Sequence, residues 1–266
     1  MNINAKKAWG FSLIELIGVL AIMAILASAI APRVLDDIKR TRQDKETQQL
    51  DVLRDHLQTY ILDNKAVPNL AVAQWTSAIA SMASVPVSKV EFNERNFRRG
   101  YFVDPRFLTS TDTPFSGFTQ QGGLSNPPVS PRIMLVSDLT GNAPNPPTTT
   151  AEFNAIWDQT AGASIVESSD VKISRLNLRG VFHRVILTNE QSAQTSFRLE
   201  DGSLNGIPAA GAGGDGVVTR YVINNTQISL YADPFPGGAL DEVFIADDDK
   251  NFAYQFVSSQ WVWQRP

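Results

Sequence analysis

Cysteine is absent from all 266 residues, which excludes a disulfide framework, a Cys-x-x-Cys redox pair and thiolate metal sites. Histidine is scarce as well, with only His56 and His183. A nucleophilic triad would have to be built around one of these two. No Gly-x-Ser-x-Gly elbow presents a serine for that purpose. The glycine-rich stretch Gly211-Ala212-Gly213-Gly214-Asp215-Gly216 lacks the Lys-Ser/Thr ending of a phosphate-binding loop and reads as a flexible connection. Positive charge is also in short supply. Beyond Asp63 there are 15 Lys+Arg against 19 Asp+Glu, and the whole chain carries a formal charge of −4. That balance disfavours a broad electrostatic footprint for nucleic acid. The chain is therefore not expected to be an enzyme or a general nucleic-acid binder.

What the sequence does have is one long apolar run. From Phe11 to Ala31 there are 21 residues, and Glu15 is the only ionisable one. As a helix this segment would be roughly 31 Å long, enough to cross a bilayer. A carboxylate inside such a segment is costly and calls for a partner. Ahead of the run lies a polar leader, Met1 to Gly10, carrying Lys6 and Lys7.

Two ordinary explanations compete. Ala27-Ser28-Ala29 offers a secretory cleavage pattern, but the run exceeds the usual h-region of about 7–15 residues, and Pro32 follows closely. A plain membrane anchor accounts for the length and leaves Gly10, Glu15 and Pro32 as unrelated coincidences.

The segment Gly10-Phe11-Ser12-Leu13-Ile14-Glu15-Leu16 resembles the amino terminus of type IV pilins and of the pseudopilins of type II secretion, with Ser12 where the signature often has Thr. The resemblance covers about the first 30 residues and is strict in order and spacing. It implies cleavage between Gly10 and Phe11 by a prepilin peptidase, N-methylation of Phe11, and an assembly role for Glu15 and Pro32. The physical logic is simple: cleavage creates an amine at Phe11, and in a bundle of packed helices that amine can neutralise the Glu15 carboxylate of a neighbouring copy. The implied partners are other pilin-like subunits, the peptidase and an inner-membrane assembly platform driven by a cytoplasmic ATPase. The implied location is the bacterial inner membrane, with the head outside the cytoplasm, followed by a periplasmic or cell-surface filament. That orientation rests on the resemblance. Counting charges would oppose it, because Arg33, Lys39, Arg40 and Arg42 outnumber Lys6 and Lys7. Many type IV pilins carry a disulfide loop near the carboxy terminus. Its absence here leans toward the secretion pseudopilins.

The expected organisation is a leader (1–10), a long helix (11–63, with 11–31 in the membrane) and a globular α+β head (64–266) built on an antiparallel sheet. From Arg33 to Asn64 there is no Gly or Pro, so the helix should continue. Lys39 to Gln49 reads as a hydrated neck. Leu50, Leu53, Leu57 and Tyr60/Ile61 then form the stripe of a helix packed on one side. A second helix is expected over Ala71–Ser84.

Strands are expected at Tyr101–Val103, Ile133–Val136, Lys172–Leu176, Val181–Leu187, Ser196–Leu199, Val217–Leu230, Glu242–Ala246 and Ala253–Trp263. Long loops at Thr109–Pro131, Gly141–Thr150 and Gly202–Gly216 are candidate contact surfaces.

Two further constellations invite a functional reading. Asp247, Asp249 and Asn251 stand at alternate positions, with Asp248 between them, as hard oxygen ligands for calcium do. The family resemblance adds to this, since major secretion pseudopilins bind calcium near the carboxy terminus. Against it, Phe252 sits at the sixth position, where an EF-hand needs Gly, and no Glu closes the loop. The competing reading is an exposed acidic turn between two strands. No other cofactor is implied. Arg95, Arg98, Arg99 and Arg106 are interleaved with Phe92, Phe97, Tyr101 and Phe102, as in a basic-aromatic nucleic-acid patch; internal ion pairs would use the same residues. The functional expectation is a structural filament subunit, with a tip-located adhesin or recognition subunit as the alternative.

Overall fold

A computed structural model describes residues 13–108, 118–120, 130–200, 202, 204–211, 216–232 and 236–266. The chain divides into two compact units between Lys45 and Glu46. Helix α1 (Leu13–Asn64) spans that boundary and runs through Pro32. With no Gly or Pro after it and helix formers in excess, one missing N–H does not end the helix. Among the described residues of the first unit, the large apolar side chains lie exposed on every face of α1 up to Ile38.

The second unit begins with the last turns of α1, where Leu50, Leu53, Leu57 and Ile61 are buried on one stripe. Helix α2 (Val72–Ala83) packs Trp75 and Ile79 against the same core and stops at Ser84, which is left-handed at φ 53° ahead of Pro86. Beyond it come α3 (Val87–Glu91), β1 (Gly100–Val103), β2 (Phe107–Leu108), β3 (Phe118–Gln120), β4 (Arg132–Asp138) and α4 (Thr150–Asp158). The remaining described elements are strands: β5 (Val171–Asn177), β6 (Phe182–Asn189), β7 (Thr195–Leu199), β8 (Asn205–Ile207), β9 (Gly216–Ile223), β10 (Thr226–Tyr231), β11 (Leu240–Ala246), β12 (Lys250–Val257) and β13 (Gln260–Gln264).

These strands make three sheets, ordered β1-β4-β5, β11-β10-β7-β8 and β13-β12-β6-β9-β3-β2. All pairings are antiparallel except β12 with β6. Period-two alternation sorts side chains between three cores. On β4, Ile133 and Leu135 join α1 and α2, whereas Met134 and Val136 face α4 with Phe153 and Ile156. On β9, Tyr221 and Ile223 join the α1 core, while Val222 joins Val185, Phe197, Leu230 and Tyr254 between the other two sheets. The fold is thus α+β, a long amino-terminal helix followed by a head of mainly antiparallel sheet.

Several sequence expectations need correction. Val217–Leu230 is not one strand: Asn224 and Asn225 make a two-residue turn, with Asn225 at φ 67°. Ala253–Trp263 is also a hairpin, turning at Ser258 and Ser259, both left-handed at φ 52° and 73°. The loop read over Gly202–Gly216 contains β8, and the loop over Thr109–Pro131 contains β3. The rest of 109–129 and residues 212–215 lie outside the described residues. Two helices, α3 and α4, were not anticipated. Thr149 caps α4 by accepting the Glu152 N–H at 3.2 Å, and the Thr-x-x-Glu spelling was the available signal.

Candidate functional site: the apolar helix and its anchorage

Of the described residues, one helix is long and apolar enough to cross a membrane, and it is α1. Leu13, Ile14, Ile17, Val19, Leu20, Ile22, Met23, Ile25 and Leu26 are all exposed, and between them they occupy every face. A helix with apolar side chains exposed on all faces is suited to lipid or to a bundle of like helices. Glu15 lies in its first turn, exposed, where a carboxylate also interacts favourably with the helix dipole. Pro32 lies inside the helix. Gly10 and Phe11 fall outside the described residues.

The hydrated neck ends earlier than the sequence reading placed it. Glu46 is 1% exposed and Arg99, which it meets, 2% exposed. The guanidinium is held in a fork: Arg99 Nε donates to Glu46 Oε1 at 2.7 Å, and Nη2 donates to Oε2 at 3.0 Å and to Gln49 Oε1 at 3.0 Å. Its Nη1 donates to the carbonyls of Lys89, Val90 and Phe92 at 2.8, 3.2 and 2.7 Å. One side chain therefore ties the last turns of α1 to the end of α3 and the start of β1. Removal of either charge would strand the other in a dry site. The signal for Glu46 was in the sequence: it precedes Leu50 by four and Leu57 by eleven residues, which puts it on the buried stripe.

The other arginines of the basic-aromatic segment are also engaged internally. Arg106 pairs with Asp104 at 2.7 Å and Arg98 with Glu91 at 2.9 Å, while Arg95 donates to the Leu139 carbonyl at 2.8 Å. Asp104 is fully buried and also accepts from Arg132 Nη2 at 2.7 Å. Burial alone would raise the Asp104 carboxyl pKa, but hydrogen bonds from Arg106 and Arg132 outweigh it and hold the group below its ordinary value. Arg132 in turn lies over the Phe153 and Trp157 rings at 5.2 and 5.1 Å, which fixes α4 on the three-stranded sheet. His56 lies on α1 and His183 on β6, in different elements.

The acidic turn between β11 and β12 does not gather calcium ligands. Asp247 and Asp248 both pair with the ammonium of Lys250. Asp249 Oδ1 accepts the Arg184 N–H at 2.8 Å, and Asn251 lies within β12, on the face opposite Lys250. Among the described residues no group of three His, Cys, Asp or Glu side chains is placed to hold a metal ion. The donor set therefore does not fit calcium as arranged.

A long amino-terminal helix, apolar in its first half, followed by an α+β head of mainly antiparallel sheet is a pilin-like fold. The comparisons with known proteins agree. The chain is 30% identical over 98 residues to the type II secretion system core protein G of Vibrio cholerae serotype O1, a stretch that is 37% of this chain and 62% of that relative. It is 29% identical over 96 residues to the protein of the same name from Klebsiella michiganensis, covering 36% of this chain and 66% of the relative. To that of Klebsiella pneumoniae it is 28% identical over 98 residues, 37% and 65% of the two chains. The match thus spans slightly less than two thirds of each of these relatives. No family model matches the chain, and no solved structure does either. The chain is thus similar, over little more than a third of its length, to type II secretion system core proteins G.

Proposed function

We propose that this chain is a structural subunit of a membrane-anchored helical filament of the pseudopilus type, assembled through α1. The observation that carries the proposal is the all-round exposure of the apolar half of α1 with Glu15 as its one charge, in a chain similar to type II secretion core proteins. Such a surface is stable in lipid or against copies of itself. On this reading residues 1–10 are a leader removed between Gly10 and Phe11, and the new amine, methylated at Phe11, neutralises a neighbour's Glu15. The assembly partners are other pilin-like subunits, a prepilin peptidase and an inner-membrane platform. The head lies outside the cytoplasm and does no catalysis.

A specialised or tip-proximal place within the filament has its own support. The matched 98 residues are 62% of the Vibrio relative but 37% of this chain, so this chain is the longer of the two. On this reading the additional length would supply surface for specialised contacts.

Intact-mass measurement of the protein from membrane and sheared-surface fractions tests the proposal. A mass beginning at Phe11 plus one methyl group is expected. A chain beginning at Ile30, or the uncut chain from Met1, would overturn it. Abundance in the sheared fraction separates the two places: plentiful for a filament-building subunit, scarce for a tip subunit.

A further inference from the structure

The link from β11 to β12 carries the chain from the four-stranded sheet to the six-stranded one, and it does so through three consecutive carboxylates, Asp247, Asp248 and Asp249. Adjacent like charges repel, so such a link needs a cation. We propose that the Lys250 ammonium is that cation, closing the turn in place of a divalent metal ion.

Placement supports this. Lys250 opens β12 opposite Val185 in the parallel β12–β6 pair, so its backbone is fixed by the sheet. Its side chain is 8% exposed, while those of Asp247 and Asp248 are 64% and 69% exposed. The aliphatic stem thus lies along the protein and delivers the charge outward to the two carboxylates. The ammonium is 2.5 Å from Asp247 Oδ1 and also pairs with Asp248. The Lys250 hydrogen bond holds the Asp247 carboxyl below its ordinary range, and the two carboxylates hold the ammonium above its own.

The third carboxylate has a separate task. Asp249 Oδ1 accepts the Arg184 N–H and lies 4.0 Å from His183 Nδ1, tying the turn to the start of β6. A calcium ion takes six to eight oxygens at about 2.3–2.6 Å. To gather them here it would have to displace the ammonium and draw Asp249 off β6. Asn251 would have to reach across its own strand.

The test is thermal unfolding of the full-length protein in detergent micelles, with EGTA or with millimolar calcium chloride. The unchanged chain should melt within about 1 °C in the two buffers. Lys250→Gln should lower the midpoint in EGTA by about 2–4 °C, and Lys250→Arg should keep most of it. In an Asp247→Asn, Asp248→Asn background, Lys250→Gln should cost nothing further, because the charges it balances are gone. A saturable rise of the native midpoint with calcium would overturn the proposal. So would a Lys250→Gln protein as stable as the native chain, or one equally destabilised in the doubly neutralised background. Should Lys250→Gln fail to fold, the arginine variant and the doubly neutralised pair decide the question by the same criteria.

Discussion

The two ends of α1 are made of similar residues and treat them in opposite ways. Up to Ile38 the helix displays leucine, isoleucine and valine around its whole circumference, and Leu13 is 77% exposed. From Glu46 onward most of the apolar residues gather on one buried stripe, with Leu57 and Ile61 fully buried and Val52 and Leu62 left exposed beside it. Hydrophobic content alone therefore does not say whether a side chain is covered by protein. Its distribution around the helix does: a single stripe seeks a packed core, and an unbroken band seeks lipid or other helices. The charges follow the same division. Glu15 is exposed within the band, whereas Glu46, on the stripe, is buried with a fork-shaped partner.

The sharpest way to break the comparison is to remove the partner. Arg99→Ala should destabilise the head by about 3–5 kcal/mol, because it leaves the Glu46 carboxylate uncompensated in a dry site. It also frees the three carbonyls at the end of α3. Chemical denaturation of the full-length protein in detergent measures the loss. A drop under about 1 kcal/mol would mean that water reaches the pair, as it does at exposed ion pairs. Replacing Glu46 and Arg99 together by Met should be much milder than either single change, since a buried pair is often no more stabilising than apolar residues of similar volume.

Next in size is a matched pair of truncations. Leu57→Ala should cost about 2–5 kcal/mol through lost burial and the cavity left behind. Leu20→Ala, the same chemistry on the exposed band, should change head stability by no more than about 0.5 kcal/mol. Equal effects would mean that the two ends of α1 are not divided by burial.

Much of this division was legible beforehand. The Leu50, Leu53, Leu57 and Ile61 stripe follows from spacing, and the band from Phe11 to Ala31 from its unbroken composition. Most strands are legible too, because alternation and turn residues bound them. The elements that local pattern does not reveal have identifiable physical causes. Ser258 and Ser259 turn a hairpin without the Asn-Gly or Asp-Gly spelling that marks left-handed turns. The short α3 has too few residues for a period to show. Glu46 has polar neighbours, which spell a solvated neck, and its partner stands 53 residues away, a separation that local pattern cannot bridge. The basic-aromatic segment shows the same limit, since its arginines are committed by distant carboxylates and carbonyls as well as local ones. The amino-terminal motif is different in kind: it rests on resemblance alone, and Gly10 and Phe11 lie outside the described residues.

A pH titration probes a third charge arrangement. Asp104 is held below its ordinary pKa of 3.8, so its folded form binds a proton less readily than the unfolded chain does. A depressed carboxyl contributes stability above the unfolded value and loses it as pH falls through the folded one. The native protein should therefore lose stability more steeply than Asp104→Asn below about pH 4, and the two slopes should run parallel near neutrality. Identical slopes across the acid range would show that Arg106 and Arg132 do not hold the carboxylate as described.

The smallest effect belongs to a pair that lies between the exposed and buried extremes. Lys65, just past the end of α1, meets Glu200 at 2.7 Å, with the two side chains 33% and 24% exposed. Distance alone would rank this contact with Glu46 and Arg99, since both are closed at 2.7 Å. Solvation ranks them apart. Water screens the Lys65 pair and can solvate either charge if the other is lost, and two flexible side chains must be ordered to make it. Lys65→Ala should cost about 0–1 kcal/mol, and raising the salt concentration should reduce even that. The Arg99→Ala loss, in contrast, should be nearly independent of salt. If the two variants responded alike to salt, burial would not be what separates these two pairs.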